Sequence, residues 1–276
     1  MPELPEVEVT RLGLVDHVTG ARIQALHLGK PLRWPLGVSV DRLRGQLIRH
    51  IRRRGKYLLL DLDEGLLLIH LGMSGHLRFD RALPPPGPHD HMDLHTDRGV
   101  LRLHDPRRFG AVVFAESESD PQARKLLGRL GVEPLTQAFD PAEFHRALKA
   151  RRAPIKQVLL AGDVVVGVGN IYAAEALFES RIDPARPAQS LSAAEVRKLW
   201  TAIRKVLDRA IAAGGSSIRD YVQSDGELGY FQHQWAVYDK EGQKCRGCTC
   251  PLQKTGGIKR ITQGGRSTFY CPARQK

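Results

Sequence analysis

Short apolar runs separated by turn residues fill the first half of the chain, after a single stretch with helical periodicity. That stretch spans residues 7–18, with Val7, Leu14 and Val18 on one side, and it predicts a short helix. Strands are predicted next, because the following runs are short, apolar and bounded by turn signals such as residues 63–65. The predicted strands are residues 22–28, 57–62, 66–71, 92–95, 100–103 and 111–114. Short strands joined by hairpin turns favour an antiparallel sandwich or barrel.

The second half of the chain changes to helical spacing. Residues 131–134 read Gly-Val-Glu-Pro, which we interpret as a linker. Asp140 then provides an N-cap before a proline, with Glu143 as the capping-box acid. A second capping box at residues 192–195 opens a helix that ends at the glycine pair 214–215. The second half is therefore predicted to be mostly helical as far as these glycines.

Length and charge narrow the function classes. A chain of 276 residues is long enough for two domains with cores of their own. Its 42 Lys and Arg residues exceed its 30 Asp and Glu residues, leaving a net charge of +12. This excess favours a polyanionic partner, because cations that neutralise phosphates release condensed counterions, although solubility alone is an equal explanation. No apolar run approaches a membrane span, and the acidic N-terminus is not a secretory signal, so we expect a cytoplasmic protein without a membrane partner.

All four cysteines lie in a basic C-terminal tail. Cys245 and Cys248 have the spacing of a zinc knuckle, and a predicted β-hairpin over residues 258–270 leads to Cys271. This outline predicts a zinc ribbon with one structural ion. A standard ribbon has its last cysteine where this chain has Arg274.

The fourth zinc ligand is left open by the sequence. Cys250 is the remaining thiol and can complete the site, and a histidine or a water molecule are the alternatives. A hairpin that holds together without metal is disfavoured, because so short a tail has little core of its own.

Candidate catalytic chemistry lies at the N-terminus. If Met1 is removed, Pro2 becomes a secondary amine that titrates near pH 8, so an appreciable fraction is unprotonated at neutral pH. Amine nucleophiles form Schiff bases with carbonyl-like carbons, and Glu3 beside it can transfer a proton. Taken alone, the same residues are more simply explained as the start of a helix, with Glu6 in the first turn.

Three further segments carry candidate binding chemistry. The glycine turn at residues 167–170 precedes a predicted helix and suits a phosphate, although such turns more often serve tight packing. Residues 105–110 place two arginines beside Phe109, and arginines bind base edges or phosphates while a phenylalanine can wedge between bases. Met73 is an apolar side chain flanked by glycines. Surface arginines and core side chains are the alternative interpretations.

Together these segments resemble the formamidopyrimidine-DNA glycosylase family, the bacterial 8-oxoguanine glycosylases and AP lyases. The resemblance covers essentially the whole chain in the family's order. The motifs that carry it are PELPEVE, RRGKYLLL, HLGMSGHLRF, HDHMDL, DPRRFG, APIKQVLL, VVGVGNIYAAEALF, GGSSIRDY and GGRSTFYC. The departures are Arg274 and a segment after Cys248 that is about six residues longer than the family pattern.

The resemblance implies a role for each matching residue. Pro2 would attack C1′ of a flipped nucleotide, Glu3 would supply the proton transfer that opens the sugar, Lys56 would assist β-elimination, and Arg266 would contact the lesion phosphate and assist δ-elimination. The loop at residues 216–221 would cap the flipped base. The implied contacts to DNA come from Glu6, His70, Met73, His89, Arg107, Arg108, Phe109, Arg151, Arg152, Lys156 and Asn170.

The DNA contacts fall into two groups in this resemblance. Met73, Arg107 and Phe109 would fill the hole left by the extruded base, with Arg107 facing the orphaned cytosine. The residues that would grip the backbone are His89, Arg108, Arg151 or Arg152, Lys156 and Asn170. Flipping is required because a base stacked in a duplex cannot be reached, and it costs a few kcal/mol.

The resemblance also implies an α+β multidomain fold. The expected parts are an N-terminal antiparallel β-sandwich with a flanking helix over residues 2–132, a helix–two-turn–helix domain with the capping loop over residues 138–232, and a zinc-ribbon β-hairpin over residues 238–276. The expected partner is double-stranded DNA with an oxidised purine or an abasic site, bound by a monomer in the nucleoid.

Three alternatives accompany this prediction. An endonuclease VIII-like enzyme for oxidised pyrimidines belongs to the same superfamily, but PELPE in place of PEGPE and the set of Met73, Arg107 and Phe109 argue against it. A non-catalytic relative that only binds lesion DNA is disfavoured by the retained Pro2, Glu3 and Lys56. A zinc-ribbon module without catalysis would explain the tail alone.

Overall fold

The computed structural model describes residues 1–216, 229–247 and 251–276. Its contacts divide the chain into two compact units. The first contains Met1–Arg129 and Ile211–Gln232, and the second contains Leu130–Ala210 and His233–Lys276. This division differs from the three expected domains, because the chain re-enters the first unit at residue 211 and the ribbon belongs to the body of the second unit.

Antiparallel strands dominate the first unit, with one helix at each end of the series. Its elements are α1 (Leu4–Val18), β1 (Ile23–Leu28), β2 (His50–Arg54), β3 (Tyr57–Asp61), β4 (Leu66–His70), β5 (His76–Asp80), β6 (Asp90–Thr96), β7 (Gly99–His104), β8 (Ala111–Ala115) and α2 (Pro121–Leu127), with a 3₁₀ turn at Val40–Leu43. The strands form two four-stranded sheets, ordered β1-β6-β7-β5 and β2-β3-β4-β8.

One hydrophobic core joins the two sheets. Leu58 and Ile69 from one sheet pack in the same cluster as Leu94 and Leu101 from the other, together with Leu14 of α1. Because successive side chains of a strand point to opposite faces, these positions line the inner face of a sandwich. On the opposite face of the sheet that contains β3, β4 and β8, Leu59, Leu68 and Val113 are buried as well, and α2 contacts β8. The predicted β-sandwich is confirmed.

Two strands escaped the sequence prediction, β2 and β5. Both lie at the edge of their sheet and carry charged residues, so their apolar signal is weak. On β2, Arg52 donates to Asp61 at 2.6 Å and to Glu118 at 2.9 Å. An edge strand needs only one apolar face, and charges on its exposed side block pairing with other chains.

The first helix begins three residues earlier than predicted. The capping box of Glu3 and Glu6 is formed, and prolines are favoured in a first turn because their missing N–H has no partner there. Among the described residues, no helix combines the length and the apolar character that crossing a membrane requires.

Helices are the main secondary structure of the second unit. Its elements are α3 (Pro141–Lys149), α4 (Ile155–Ala161), α5 (Asn170–Ser180), α6 (Ala193–Ala212), α7 (Leu252–Thr255), β9 (Lys259–Gln263) and β10 (Arg266–Tyr270). Both predicted helix starts are confirmed. Asp140 accepts the N–H groups of Ala142 and Glu143, and Ser192 exchanges hydrogen bonds with Glu195. The short helices α2 and α4 were missed, because seven residues carry little periodicity.

The predicted linker at residues 131–134 is part of the second unit. Gly131 donates its N–H to Gly162 at 2.8 Å, and Val132 pairs with Val165 in a parallel bridge. The segment is therefore fixed by backbone hydrogen bonds, and the unit boundary falls just before it.

A buried carboxylate joins α5 to the chain that enters the ribbon. Glu175 is 3% exposed and accepts the N–H groups of Ala236, Val237 and Tyr238 at 2.7, 3.0 and 2.9 Å. Burial raises the pKa of Glu175 above its usual value, more than the three N–H groups lower it. Phe178 of α5 packs in one cluster with Cys245, Cys271 and other residues of the ribbon.

Replacing Glu175 by glutamine should destabilise the second unit. The amide keeps one acceptor oxygen and turns an N–H₂ group towards backbone N–H groups, leaving a buried donor without a partner. We expect Glu175→Gln to lower the free energy of unfolding by about 2 kcal/mol, measured by urea denaturation. Glu143→Gln is the matched control, because Glu143 makes an exposed pair with Arg146. Equal stability of the two variants would contradict this role.

Candidate functional site

The N-terminus is held at the start of α1 by two buried glutamates. Glu3 and Glu6 are each 2% exposed, and the Glu3 N–H donates to Oε2 of Glu6 at 2.8 Å. The other oxygen of Glu6 accepts the N–H of Ser216 at 2.8 Å. Pro2 is buried beside them, and Met1 precedes it in the chain. With Met1 in place the proline nitrogen is an amide, so nucleophilic chemistry requires removal of Met1.

Glu6 was expected among the residues that contact DNA. In the structure, both of its carboxylate oxygens accept backbone N–H groups, one at the start of α1 and one at Ser216. In this arrangement Glu6 holds the backbone of Glu3, next to Pro2, and the backbone of Ser216. The remaining residues of the expected capping loop, 217–221, lie outside the described residues.

Lys56 lies in the tight turn between β2 and β3, next to Gly55 with φ of 59°. The register of β3 and β4 pairs Tyr57 with His70, whose ring lies 4.7 Å from the tyrosine ring. The pKa of His70 is lowered to about 4, chiefly by burial and then by the nearby charge of Lys56. The Gly72 N–H donates to Nδ1 of His70 at 3.0 Å, so the neutral ring carries its proton on Nε2. His70 is thus a neutral hydrogen-bond donor at pH 7.

Two loops of the first unit expose large apolar side chains next to each other. Met73, on the loop after β4, is 41% exposed, and Phe109, on the loop before β8, is 46% exposed. The guanidinium of Arg107 stands 5.0 Å from the centre of the Phe109 ring. Gly72 has φ of +65°, and a Cβ there would lie 2.5 Å from backbone atoms of Phe109 and Gly110. The two loops therefore touch backbone to backbone, which only glycine permits.

The remaining expected contacts of the first unit flank these loops. His89 is exposed, and its carbonyl accepts the Asp105 N–H at 2.8 Å. Its ring contacts that of His104 edge-on at 5.9 Å. Arg108 is exposed and adopts a left-handed backbone conformation with φ of 54°. Both side chains are open to a ligand.

In the second unit, Lys156 is predicted to contact DNA, and its side chain bonds to the protein. Its side chain is fully buried, and its ammonium donates to the Ser267 carbonyl at 3.1 Å and to Oγ1 of Thr268 at 2.8 Å. A buried ammonium requires such partners. Lys156 therefore holds β10, the strand that begins with the exposed Arg266.

Asn170 opens α5 and reaches the same strand. Its Nδ2 donates to the Ser267 carbonyl at 3.1 Å and to the Tyr238 hydroxyl at 3.3 Å. The preceding turn uses Gly167 with φ of 86°. The predicted glycine turn and helix N-terminus are thus present, with Asn170 at the first helical position.

The two arginines between α3 and α4 differ in their contacts. Arg151 makes an ion pair with Asp163 at 2.8 Å, and Arg152 is exposed. Both lie at the surface of the second unit.

Two of the four cysteines are described. Cys245 is 3% exposed and Cys271 is fully buried, and both belong to the cluster beneath the ribbon. Cys248 and Cys250 lie outside the described residues. Among the residues that the structure describes, no three His, Cys, Asp or Glu side chains are grouped to hold a metal ion.

Arg274 occupies the position of the last cysteine of a standard ribbon. It donates to the Gly247 carbonyl at 2.7 Å, and its guanidinium stands 4.8 Å from the centre of the Phe178 ring. Arginine stays protonated and has no lone pair to offer, so Arg274 cannot be a zinc ligand.

Sequence reasoning did not single out Asp105 or Ser74, which lie in the same two loops as Phe109 and Met73. Asp105 is fully buried, and it accepts hydrogen bonds from both loops. The signal available was an aspartate before a proline at the start of a turn, which is common in turns of every function.

Comparisons with known proteins give a consistent result. Two family models match the chain, the formamidopyrimidine-DNA glycosylase N-terminal domain over residues 1–112 and the formamidopyrimidine-DNA glycosylase H2TH domain over residues 130–222. Formamidopyrimidine-DNA glycosylases of Albidiferax ferrireducens and Variovorax paradoxus are 58% and 57% identical over 276 residues, with full coverage of both chains.

Solved structures agree. The MutM (Fpg) protein of Thermus thermophilus superposes with a TM-score of 0.88 at 40% identity, covering 99% of this chain and 98% of its own. A Lactococcus lactis Fpg variant solved with DNA containing Fapy-dG superposes with a TM-score of 0.89 at 33% identity and full coverage of both chains. This chain belongs to the formamidopyrimidine-DNA glycosylase family.

Proposed function

We propose that this chain is a bifunctional DNA glycosylase and AP lyase that excises oxidised purines, such as 8-oxoguanine and formamidopyrimidines, in base excision repair. The observation that carries the proposal is the buried Pro-Glu pair at the start of α1, in a chain of this family. Structural neighbours have been solved with DNA that contains Fapy-dG, an abasic site or carbocyclic 8-oxo-G. Because its substrate is DNA, we expect the enzyme to act at the nucleoid in the cytoplasm.

Pro2, freed by removal of Met1, is the nucleophile. Its amine forms a bond to C1′ of the flipped nucleotide as the bond from C1′ to the base breaks and the base leaves with a proton. Glu3 transfers a proton to the ring oxygen, the sugar opens, and an iminium ion links Pro2 to C1′. An α-amino group titrates near pH 8, so part of it is unprotonated at neutral pH.

Strand cleavage follows from the iminium ion. It acidifies the proton on C2′, and loss of that proton expels the 3′ phosphate. Lys56, in the turn between β2 and β3, assists this β-elimination, and a second elimination expels the 5′ phosphate. Arg266 opens β10 and is exposed, as a contact to the lesion phosphate requires. Lys156 and Asn170 bond to β10 and hold it in place, so they act on DNA through the position of Arg266.

Base flipping is assisted by side chains that fill the emptied position. Met73 and Phe109 are exposed on adjacent loops, and Arg107 stacks beside Phe109. Apolar wedges and a guanidinium offset part of the unstacking cost.

Contacts to phosphates position the enzyme on the backbone. His89, Arg108 and Arg152 are exposed, Arg151 is paired with Asp163, and His70 offers a neutral N–H. Such contacts carry little sequence information, as suits an enzyme that scans DNA for lesions.

A structural zinc ion would be held by the thiolates of Cys245, Cys248, Cys271 and Cys250. The burial of Cys245 and Cys271 in one cluster fits thiolate ligands of a common site. Arg274 cannot ligate, and Cys250, the remaining thiol, is the proposed fourth ligand ahead of a histidine or a water molecule. The ion would fix the ribbon that carries Arg266 and takes no part in the chemistry.

Replacing Pro2 by glycine tests the nucleophile. Borohydride should trap wild-type enzyme covalently on duplex DNA with 8-oxoguanine. Pro2→Gly should lose trapping by at least roughly a hundredfold, because it replaces a constrained secondary amine, which forms an iminium cation directly, by a flexible primary amine whose imine must first be protonated. Intact mass spectrometry should find active protein without Met1. Active protein that still carries Met1, or full trapping by Pro2→Gly, would refute the assignment. Absence of nicking by wild type on an abasic-site duplex would indicate a non-catalytic relative.

A comparison of two lesions tests the substrate class. Single-turnover excision of 8-oxoguanine opposite cytosine should be faster than excision of thymine glycol by roughly tenfold or more, the discrimination that a few specific contacts provide. Faster removal of thymine glycol would establish the endonuclease VIII-like alternative instead.

Native mass spectrometry tests the zinc site. The wild-type protein should carry one zinc ion, Cys250→Ser should lose it, and Arg274→Cys should restore it in the Cys250→Ser background. A Cys250→Ser protein that keeps its zinc would refute Cys250 as the ligand. A metal-free wild-type protein would establish that the ribbon holds together without zinc.

A further inference from the structure

Asp105 is a fully buried carboxylate between the two loops that expose Met73 and Phe109. Its Oδ1 accepts the Ser74 hydroxyl at 3.1 Å and the Arg107 N–H at 3.3 Å, and its Oδ2 accepts the Gly110 N–H at 2.7 Å. One side chain thus bonds to the loop of Met73 through Ser74 and to the loop of Phe109 through two backbone groups.

The backbone of Asp105 extends this connection. Its carbonyl accepts the N–H of Arg108 at 3.1 Å, and its N–H donates to the carbonyl of His89 at 2.8 Å. Three segments that expose candidate DNA-binding residues therefore meet at Asp105.

Packing leaves these segments little freedom to move separately. A Cβ at Gly110 would lie 3.0 Å from Oδ2 of Asp105 and 2.9 Å from the carbonyl of His70. A Cβ at Gly75 would lie 2.3 Å from the carbonyl of Leu71. Close backbone packing and a shared buried acceptor hold the two loops in one arrangement.

We propose that Asp105 is a positioning residue which, through Ser74, locks the loops of Met73 and Phe109 together, so that Met73, Arg107 and Phe109 enter the DNA as one unit. The inference rests on the proposed function, because it assigns these three side chains to the emptied base position. Asp105 itself does not touch the substrate.

The requirement for a carboxylate follows from its partners. The three groups that bond to the side chain are donors, two backbone N–H groups and one hydroxyl. An asparagine of the same shape would turn its N–H₂ group towards either Gly110 or Arg107 and leave that backbone N–H buried without an acceptor. Ser74→Ala instead removes only the bond between the loops and leaves the turn of Asp105 intact.

Two activities of the enzyme should depend differently on the position of these loops. Excision of a paired base requires the three inserted side chains to offset unstacking and unpairing, whereas nicking of a preformed abasic site has no base to extrude. Recognition of the orphaned base by Arg107 also depends on its position. If the loops of Met73 and Phe109 are no longer held in one relative position, excision should fall more than nicking. The preference for cytosine over adenine opposite the lesion should fall as well.

The test measures single-turnover excision of 8-oxoguanine opposite cytosine and opposite adenine, nicking of an abasic-site duplex, and thermal stability. The variants are Asp105→Asn and Ser74→Ala. The matched control is Asp93→Asn, because Asp93 is another buried carboxylate of the same unit, bonded to Arg102 at 2.7 Å on the neighbouring strand. Ser74→Ala keeps the test decisive if Asp105→Asn fails to fold.

We expect Asp105→Asn and Ser74→Ala to lower excision opposite cytosine roughly tenfold relative to nicking, the effect of one lost or unsatisfied buried hydrogen bond. The preference for cytosine should fall in both variants. Asp93→Asn should lose stability while keeping the wild-type ratios. The proposal is overturned if Ser74→Ala keeps the wild-type ratios, or if Asp93→Asn shifts them equally. Wild-type protein that excises nothing would refute the proposed function instead.

Discussion

Buried carboxylates that accept backbone N–H groups are the interaction on which the functional parts of this protein depend. A loop that leaves a sheet or helix has N–H groups without a regular partner, and a buried N–H without an acceptor costs about 1–3 kcal/mol. Glu6 accepts a hydrogen bond from the N–H of Ser216, and Asp105 accepts one from the N–H of Gly110. Glu175 accepts the N–H groups of three residues at the entrance to the ribbon. Each carboxylate thus fixes a segment that hydrophobic packing alone would leave variable.

The side chains that hold the loops are therefore different from the side chains assigned to the substrate. The side chains assigned to the substrate are exposed or lie at element ends, as Met73 and Phe109 do, while the groups that hold them are buried. Filling an emptied base position requires rigid side chains, because a mobile side chain would lose in conformational entropy what it gained by stacking. The backbone contact of Gly72 with the loop of Phe109 serves the same end.

The sequence predicted the fold well where the apolar signal was strong. The strongly apolar strands β3, β4 and β8 and the capped helices α3 and α6 lie close to their predicted positions, because apolar runs and caps are local features. The edge strands β2 and β5 were missed, since pairing with a single neighbour allows charged residues on the exposed side. The residues of the candidate site stay a prediction, and their contacts could not be read from the sequence. Lys156 was expected to face DNA, and only the fold reveals that it bonds to a strand more than a hundred residues away, at Thr268. Asp105 was overlooked for the same reason, because its partner Ser74 is distant in sequence.

The ribbon illustrates how one substitution is accommodated by its surroundings. Arg274 bonds to the carbonyl of Gly247 and stacks on Phe178 of α5, so it ties the chain end to the knuckle and to the helix below. Gln275 adds bonds to the backbone of Cys271 and of Ile182. In a standard ribbon the metal itself would make the connection between knuckle and chain end. Here the guanidinium of Arg274 makes it, and the Gln275 amide holds the chain end to Cys271 and Ile182, so the hairpin that carries Arg266 is held by contacts that do not require a cysteine at position 274.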